Sequence, residues 1–251
     1  MRRFTWYGIA AMLAAIPVQA QTLASRIDAV RDGTVLMTFA SRPGVCGDGQ
    51  GRIWIQDSRS VHVASDRQWV CMPGPVRVAL GRADKQTMSV RTRVGGRWSA
   101  ASSETDLGEV PASDAARYLI DLARTLGGKS AGEALSAAAF ADAANLSPDF
   151  ERLVRDDAAS LETRKQALFW LGQGDLPTRD LARLYDGLGP SALREHFTFV
   201  ISQRRDDLAI DKLIDVARRD PDLEIRKQAM FWLGQSREPR AIKFFKDLLT
   251  R

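Results

Sequence analysis

Ten consecutive residues occur twice in this chain with a single difference, Leu168 against Met230: Arg164-Lys-Gln-Ala-Leu-Phe-Trp-Leu-Gly-Gln173 and Arg226-Lys-Gln-Ala-Met-Phe-Trp-Leu-Gly-Gln235. They lie sixty-two positions apart. A diverged third copy, Arg194-Glu-His-Phe-Thr-Phe-Val-Ile-Ser-Gln203, divides that interval into steps of 30 and 32 residues. A helical unit of about thirty-one residues cannot bury its apolar face alone, so successive units must stack. The duplication therefore predicts stacked helix pairs whose inner surface is the working part.

A helical wheel of about 100° per residue separates two faces of the repeated helix. With Ile225 at the origin, Ala229, Leu233 and Trp232 fall on one apolar arc. Trp170, Val200 and Trp232 occupy equivalent positions, so this face reads as repeat core. Truncating Trp232 is then expected to cost about 3–5 kcal/mol. Outside the arc lie three parallel rows: Lys165/Glu195/Lys227, Gln166/His196/Gln228 and Phe169/Phe199/Phe231. They read either as a protein-binding floor of aromatic faces edged by Lys and amide groups, or as interhelical Phe packing with solvated Lys and Gln.

The stretch Asp220-Pro-Asp-Leu-Glu-Ile-Arg-Lys-Gln-Ala-Met-Phe-Trp-Leu-Gly234, followed by Glu238-Pro-Arg-Ala-Ile and a Leu-Leu ending, resembles the HEAT repeat of the short bacterial type. The resemblance covers about residues 131–251 and rests on the Asp-Pro turn, Ile225-Arg226, Ala229 and Leu233-Gly234. The first clear copy has Ala159-Ser160 in place of Pro, and the middle copy has Phe197 for Ala and Ile201-Ser202 for Leu-Gly. The resemblance implies an α-solenoid that binds other macromolecules. HEAT-like repeats also occur in a few lyases and DNA glycosylases.

The first twenty residues read differently. Arg2-Arg3, the uncharged run from Phe4 to Val18, and Val18-Gln-Ala20 have the three-part form of a secretory signal cut after Ala20. A membrane anchor needs about twenty apolar residues, and this run is shorter. From Gly33 to Trp98 the chain alternates with period two, in Thr34–Phe39, Arg52–Gln56, Pro75–Leu80 and Met88–Val94, which predicts strands. Cys46 and Cys71 fall inside this segment, and two thiols in an exported chain read as a disulfide staple. A redox centre is the rival reading, and it wants a Cys-x-x-Cys spacing. Residues 99–113, rich in Ser, Glu, Asp and Gly, read as a linker. The expected fold class is α+β in two domains: a signal over 1–20, a disulfide-stapled all-β domain over 21–98, the linker, and a HEAT-like α-solenoid over 114–251.

Charge and motifs bear on function. The formal net charge is +5, and setting residues 1–20 aside removes two arginines and no acid. The remaining surplus is mild and lies in the β-rich part, whereas nucleic-acid binding wants a clustered basic face. The two histidines, His62 and His196, are isolated from one another, so no His-based metal site is expected. No nucleophile elbow or phosphate loop occurs. Gly47-Asp-Gly-Gln-Gly51 has one carboxylate and reads as a tight turn, not a calcium loop. The pairs Asp156-Asp157 and Asp206-Asp207 read as helix-end residues. No catalytic residue, metal or cofactor is expected. The sequence reading is a periplasmic or secreted, non-catalytic adaptor or scaffold that binds another exported protein or the ectodomain of a membrane protein. It has no nucleic-acid partner and no membrane span after signal cleavage. The competing reading is an exported enzyme with its site in the β domain or at the domain junction.

Overall fold

A computed structural model describes residues 21–55, 71–96, 101 and 103–250. The expected signal, His62 and the 97–100 boundary of the β segment lie outside the described residues. The chain is α+β: a β region over about residues 33–109 precedes a helical region over 112–249. A short helix α1 (Leu23–Asp28) leads into β1 (Gly33–Phe39), β2 (Val45–Gly47), β3 (Ile53–Ile55), β4 (Met72–Pro73), β5 (Val76–Ala83), β6 (Gln86–Val94) and β7 (Glu104–Glu109).

Alternation builds the larger sheet, whose order is β6-β5-β1-β7. Val35, Met37 and Phe39 of β1 and Val76, Val78 and Leu80 of β5 all point into the core and are fully buried. The β5–β6 hairpin closes through Asp84 and Lys85, both at positive φ, the geometry of a two-residue turn whose twist matches the strands. β7 runs parallel to β1 at the sheet edge. The segment read as a linker thus contributes a strand. Its Glu104, Asp106 and Glu109 disguise it as loop in sequence, while charge on an edge strand blocks pairing with other chains.

The smaller sheet has the order β3-β2-β4. The Cys46–Cys71 disulfide joins β2 to the residue preceding β4, with Cα atoms 5.4 Å apart. Beside it, Asp48 closes the Gly47–Gly51 turn by accepting from the Gln50 and Arg52 amides at 2.8 and 3.1 Å. These bonds hold its carboxyl below the usual carboxylate range.

The helices are α2 (Ala112–Ala123), α3 (Gly128–Phe140), α4 (Ser147–Arg155), α5 (Leu161–Gln173), α6 (Thr178–Leu184), α7 (Ser191–Ser202), α8 (Asp207–Arg219), α9 (Leu223–Ser236) and α10 (Pro239–Leu249). Polar side chains start several of them: Ser160, Asp206 and Asp222 each accept from an amide of the first turn. α3 packs on β5 and β6, and the strand end beyond β1 is pinned to α3 by Arg42 N–H to Phe140 O and Asp142 N–H to Ala40 O. One connected set of buried apolar side chains runs from Ile27 under the sheet to Phe244 in α10.

Contacts among the helices repeat along the chain. α2 packs on α4, α6 on α8 and α8 on α10, while α3 packs on α5, α5 on α7 and α7 on α9. The first series is tied by ion pairs: Arg117 to Asp149, Arg152 to Asp121, Arg124 to Asp156, Lys212 to Asp186, and Arg240 to Asp207 and Asp211. The second series is tied by aromatic rings. The repeated arginine also has a repeated task, since Arg164, Arg194 and Arg226 donate to the carbonyls of Val154, Gly189 and Asp220 at 2.8, 2.7 and 2.7 Å. Each satisfies backbone acceptors left open in the turn before its own helix.

Candidate partner-binding face

The duplicated segments fold as α5 and α9, and the diverged copy as α7, so equivalent residues fall on one continuous face with α3. Aromatic rings cross it in unbroken contact. Phe140 of α3 meets Trp170 at 5.4 Å between centroids, Trp170 meets Phe169 at 5.2 Å, and Phe169 stacks on Phe199 of α7. Phe199 meets Trp232 of α9 at 5.4 Å, and Trp232 meets Phe231 at 5.0 Å. Most of these pairs are edge-on or tilted, as the aromatic quadrupole favours. Phe169 and Phe199 are half-buried, whereas Phe231 is 52% exposed. The Phe row is thus packed at α5 and α7 and open at α9.

The residues of the apolar arc divide in the same way. Val200, Ala229 and Leu233 are buried. Trp170 and Trp232 are only half-buried and lie at the rim of the core, where they carry the ring contacts just described. Their large rings reach past the core to the face. The Trp232 indole Nε1 is buried without a hydrogen-bond partner.

Five of the residues singled out in the sequence converge on one groove of about 460 Å³ between α3, α5 and α7: Lys165, Gln166, Phe169, Trp170 and His196. Gly132, Ser136 and Glu162 complete its lining. These three escaped the sequence reading, although Ser136 and Gly132 precede Gln166 and Glu162 by the same 30 residues that separate Phe140 from Trp170. Gln166 donates through Nε2 to Glu162 at 3.4 Å. Its Oε1 and the Nε2 of His196 are buried and have no partner. Burial, then the nearby Lys165 charge, lower the His196 pKa below its ordinary 6.5, so the ring is neutral near pH 7. On α9 the face continues through half-buried Gln228 and exposed Lys227, which pairs with Glu224 at 2.8 Å.

The acid pairs singled out in the sequence have structural partners. Asp156 accepts from Arg124, Asp157 from Arg164, Asp206 caps α8, and Asp207 pairs with Arg240. Asp220 is buried and accepts from Arg194 Nε at 3.0 Å, the Asp222 amide at 2.8 Å and the Tyr185 hydroxyl. Burial pushes its carboxyl up, but these three donors together outweigh burial and hold it below the usual carboxylate range. Among the described residues, no group of three or more His, Cys, Asp or Glu side chains is placed to hold a metal ion. No described helix is long and apolar enough to cross a membrane.

No protein-family model, curated protein or solved structure matches the chain at a significant level.

Proposed function

We propose that this chain is a HEAT-like α-solenoid joined to a disulfide-stapled β domain, exported to the periplasm or beyond, and that it acts as a non-catalytic adaptor binding another exported protein through the face of α3, α5, α7 and α9. The observation that carries this reading is the aromatic series ending in Phe231, 52% exposed beside Lys227. A large ring left in water at the end of a packed series, flanked by a cation and amides, has the composition of an interface anchor. The side formed by α2, α4, α6, α8 and α10 is ion-paired; it exposes Leu208 and Ile242, but among the described residues no run of contacting rings crosses it from helix to helix. The Cys46–Cys71 bond supports the compartment, because disulfides persist where the medium is oxidising.

The double variant Lys227→Glu/Phe231→Ala tests the assignment. Both side chains are exposed, so the reading expects an unchanged thermal melt together with loss of co-purifying exported protein. Undiminished partner capture by the folded variant contradicts it.

A further inference from the structure

α5 and α9 carry nearly one sequence in two surroundings, and the difference tells what kind of partner the open end of the face accepts, an inference that rests on the protein-binding reading above. Lys165, Leu168, Phe169 and Gly172 of α5 correspond to Lys227, Met230, Phe231 and Gly234 of α9. In α5 Leu168 and Gly172 are buried and Lys165 and Phe169 half-buried; in α9 Met230 is half-buried and the other three are exposed. Spaced by three or four residues, these positions form one stripe of the helix. The cover in α5 is α7: Phe199 stacks on Phe169, and a Cβ on Gly172 would stand 2.2 Å from Val200 Cγ1. A Cβ on Gly234 would meet nothing within 4 Å.

α10 is uncovered in the same way. Its Ala241-Ile242 follows Ala209-Ile210 of α8 by 32 residues, the step that separates Arg194 of α7 from Arg226 of α9. Ile210, Leu213, Val216 and Ala217 are buried in α8, and Ile210 and Leu213 share a cavity with Trp232 and Ser236, so this stripe faces α9. The counterparts in α10 are Ile242, Phe245, Leu248 and Leu249. Phe245 is half-buried and the other three are exposed. The open stripe of α9 and that of α10 therefore face one position, the next place in the series α3, α5, α7 and α9. At the other end α3 is covered by β5 and β6, so the series can be extended only beyond α9.

We propose that the protein partner docks an amphipathic helix in this position, with a β-branched side chain against Gly234, an aromatic ring on Phe231 and apolar side chains on the stripe of α10. The contact continues one the fold already makes. Because α9 repeats α5, the helix it accepts presents what α7 presents to α5, a ring and a β-branched residue side by side, as in Phe199-Val200. A second copy of the chain matches this less well: the β-branched residue exposed on its α10 is Ile242, which stands between Ala241 and Lys243.

The probe is α7 itself as a free peptide, residues 190–203, blocked at both ends and carrying Ser191→Lys joined by a lactam to Glu195. Both positions are exposed in α7, and the link holds a helix too short to be stable alone. It is titrated into the whole chain and followed by NMR at the methionine methyl groups. The expected result is a saturable shift at Met230 and none at Met37, which is buried in the sheet. Gly234→Leu adds its side chain to open space, so the fold is kept while the peptide weakens by at least about tenfold, the scale of an overpacked contact. The same peptide with Val200→Asp leaves Met230 unmoved, and Gly234→Leu loses the co-purifying exported protein. Absence of a saturable shift at Met230 overturns the proposal, as does an unchanged peptide affinity in folded Gly234→Leu. A dimer of the unaltered chain in sedimentation that Gly234→Leu dissolves assigns the position to a second copy and overturns it too. If Gly234→Leu keeps the partner while Lys227→Glu/Phe231→Ala loses it, only the helix assignment falls. If both variants keep the partner, the protein-binding reading falls as well.

Discussion

The rings of Phe169 on α5 and Phe199 on α7 lie parallel to within 6°, their centroids 6.4 Å apart. Phe199 also touches the rings of His196 and Trp232, so it is the central member of the series. Phe199→Ala is expected to cost about 3 kcal/mol, the low end of the range for a core Phe because the ring is partly exposed. Phe231→Ala, at the open end, should change stability by less than about 0.5 kcal/mol. Urea unfolding of the two variants measures the contrast, and equal losses would contradict the described packing.

Two equivalent glycines of the duplicated segment should respond in opposite directions. A Cβ at Gly172 would stand 2.2 Å from Val200 Cγ1, where α5 and α7 approach closely, while one at Gly234 meets nothing within 4 Å. Gly172→Ala is expected to destabilise by about 1–3 kcal/mol through overpacking. Gly234→Ala should stabilise by about 0.5–1 kcal/mol through helix propensity. Paired thermal melts decide it.

Asp220 ties three elements together through Tyr185, Arg194 and Asp222, and its substitution by Ala leaves Arg194 without its carboxylate. A loss of about 3–5 kcal/mol is expected for breaking a buried pair. The pH dependence follows from the shifts. The Asp220 pKa is depressed, so its contribution is present above the unfolded carboxylate value of about 3.9 and fades as pH falls through the lower folded value. The Tyr185 pKa is raised, first by burial and then by the Asp220 bond. Its contribution is therefore complete below about pH 10 and is lost as pH rises further. Thermal melts across pH should show both limbs in the natural sequence, with the acid limb reduced in Asp220→Asn.

Reducing the Cys46–Cys71 bond, or replacing both residues by Ser, should lower stability by roughly 3 kcal/mol, the chain-entropy value for a loop of this length. The sequence separation is 25 residues. Calorimetry with and without reductant tests this. An unchanged melting temperature after verified reduction would show that the closed loop contributes nothing.

The helical region was legible because the sequence repeats its own punctuation. Ser160, Asp206 and Asp222 stand at the starts of α5, α8 and α9, and Pro or Gly stands in several of the breaks between helices. In the β region the strands β1, β5 and β6 were equally readable from their β-branched content and alternation, β6 burying one face and the centres of β1 and β5 both. The three-residue β2 and two-residue β4 are too short to show a period, and β7 carries the charges of an edge. Half-burial of Trp170 and Trp232 was hidden because a wheel gives direction but not how far a large ring reaches past the core. The groove was half visible: the repeat aligned Gln166 with His196, but the alanine-rich α3 concealed Gly132 and Ser136.

Site-specific photocrosslinking bears most directly on the proposal that the face of α3, α5, α7 and α9 grips a protein partner. A photoreactive phenylalanine analogue at position 231, and the same analogue at Arg219 at the end of α8, would be exposed to light in cells exporting the chain. The account predicts a discrete protein adduct from position 231 and none from position 219. Adducts of equal yield from both positions, or from 219 alone, would contradict it.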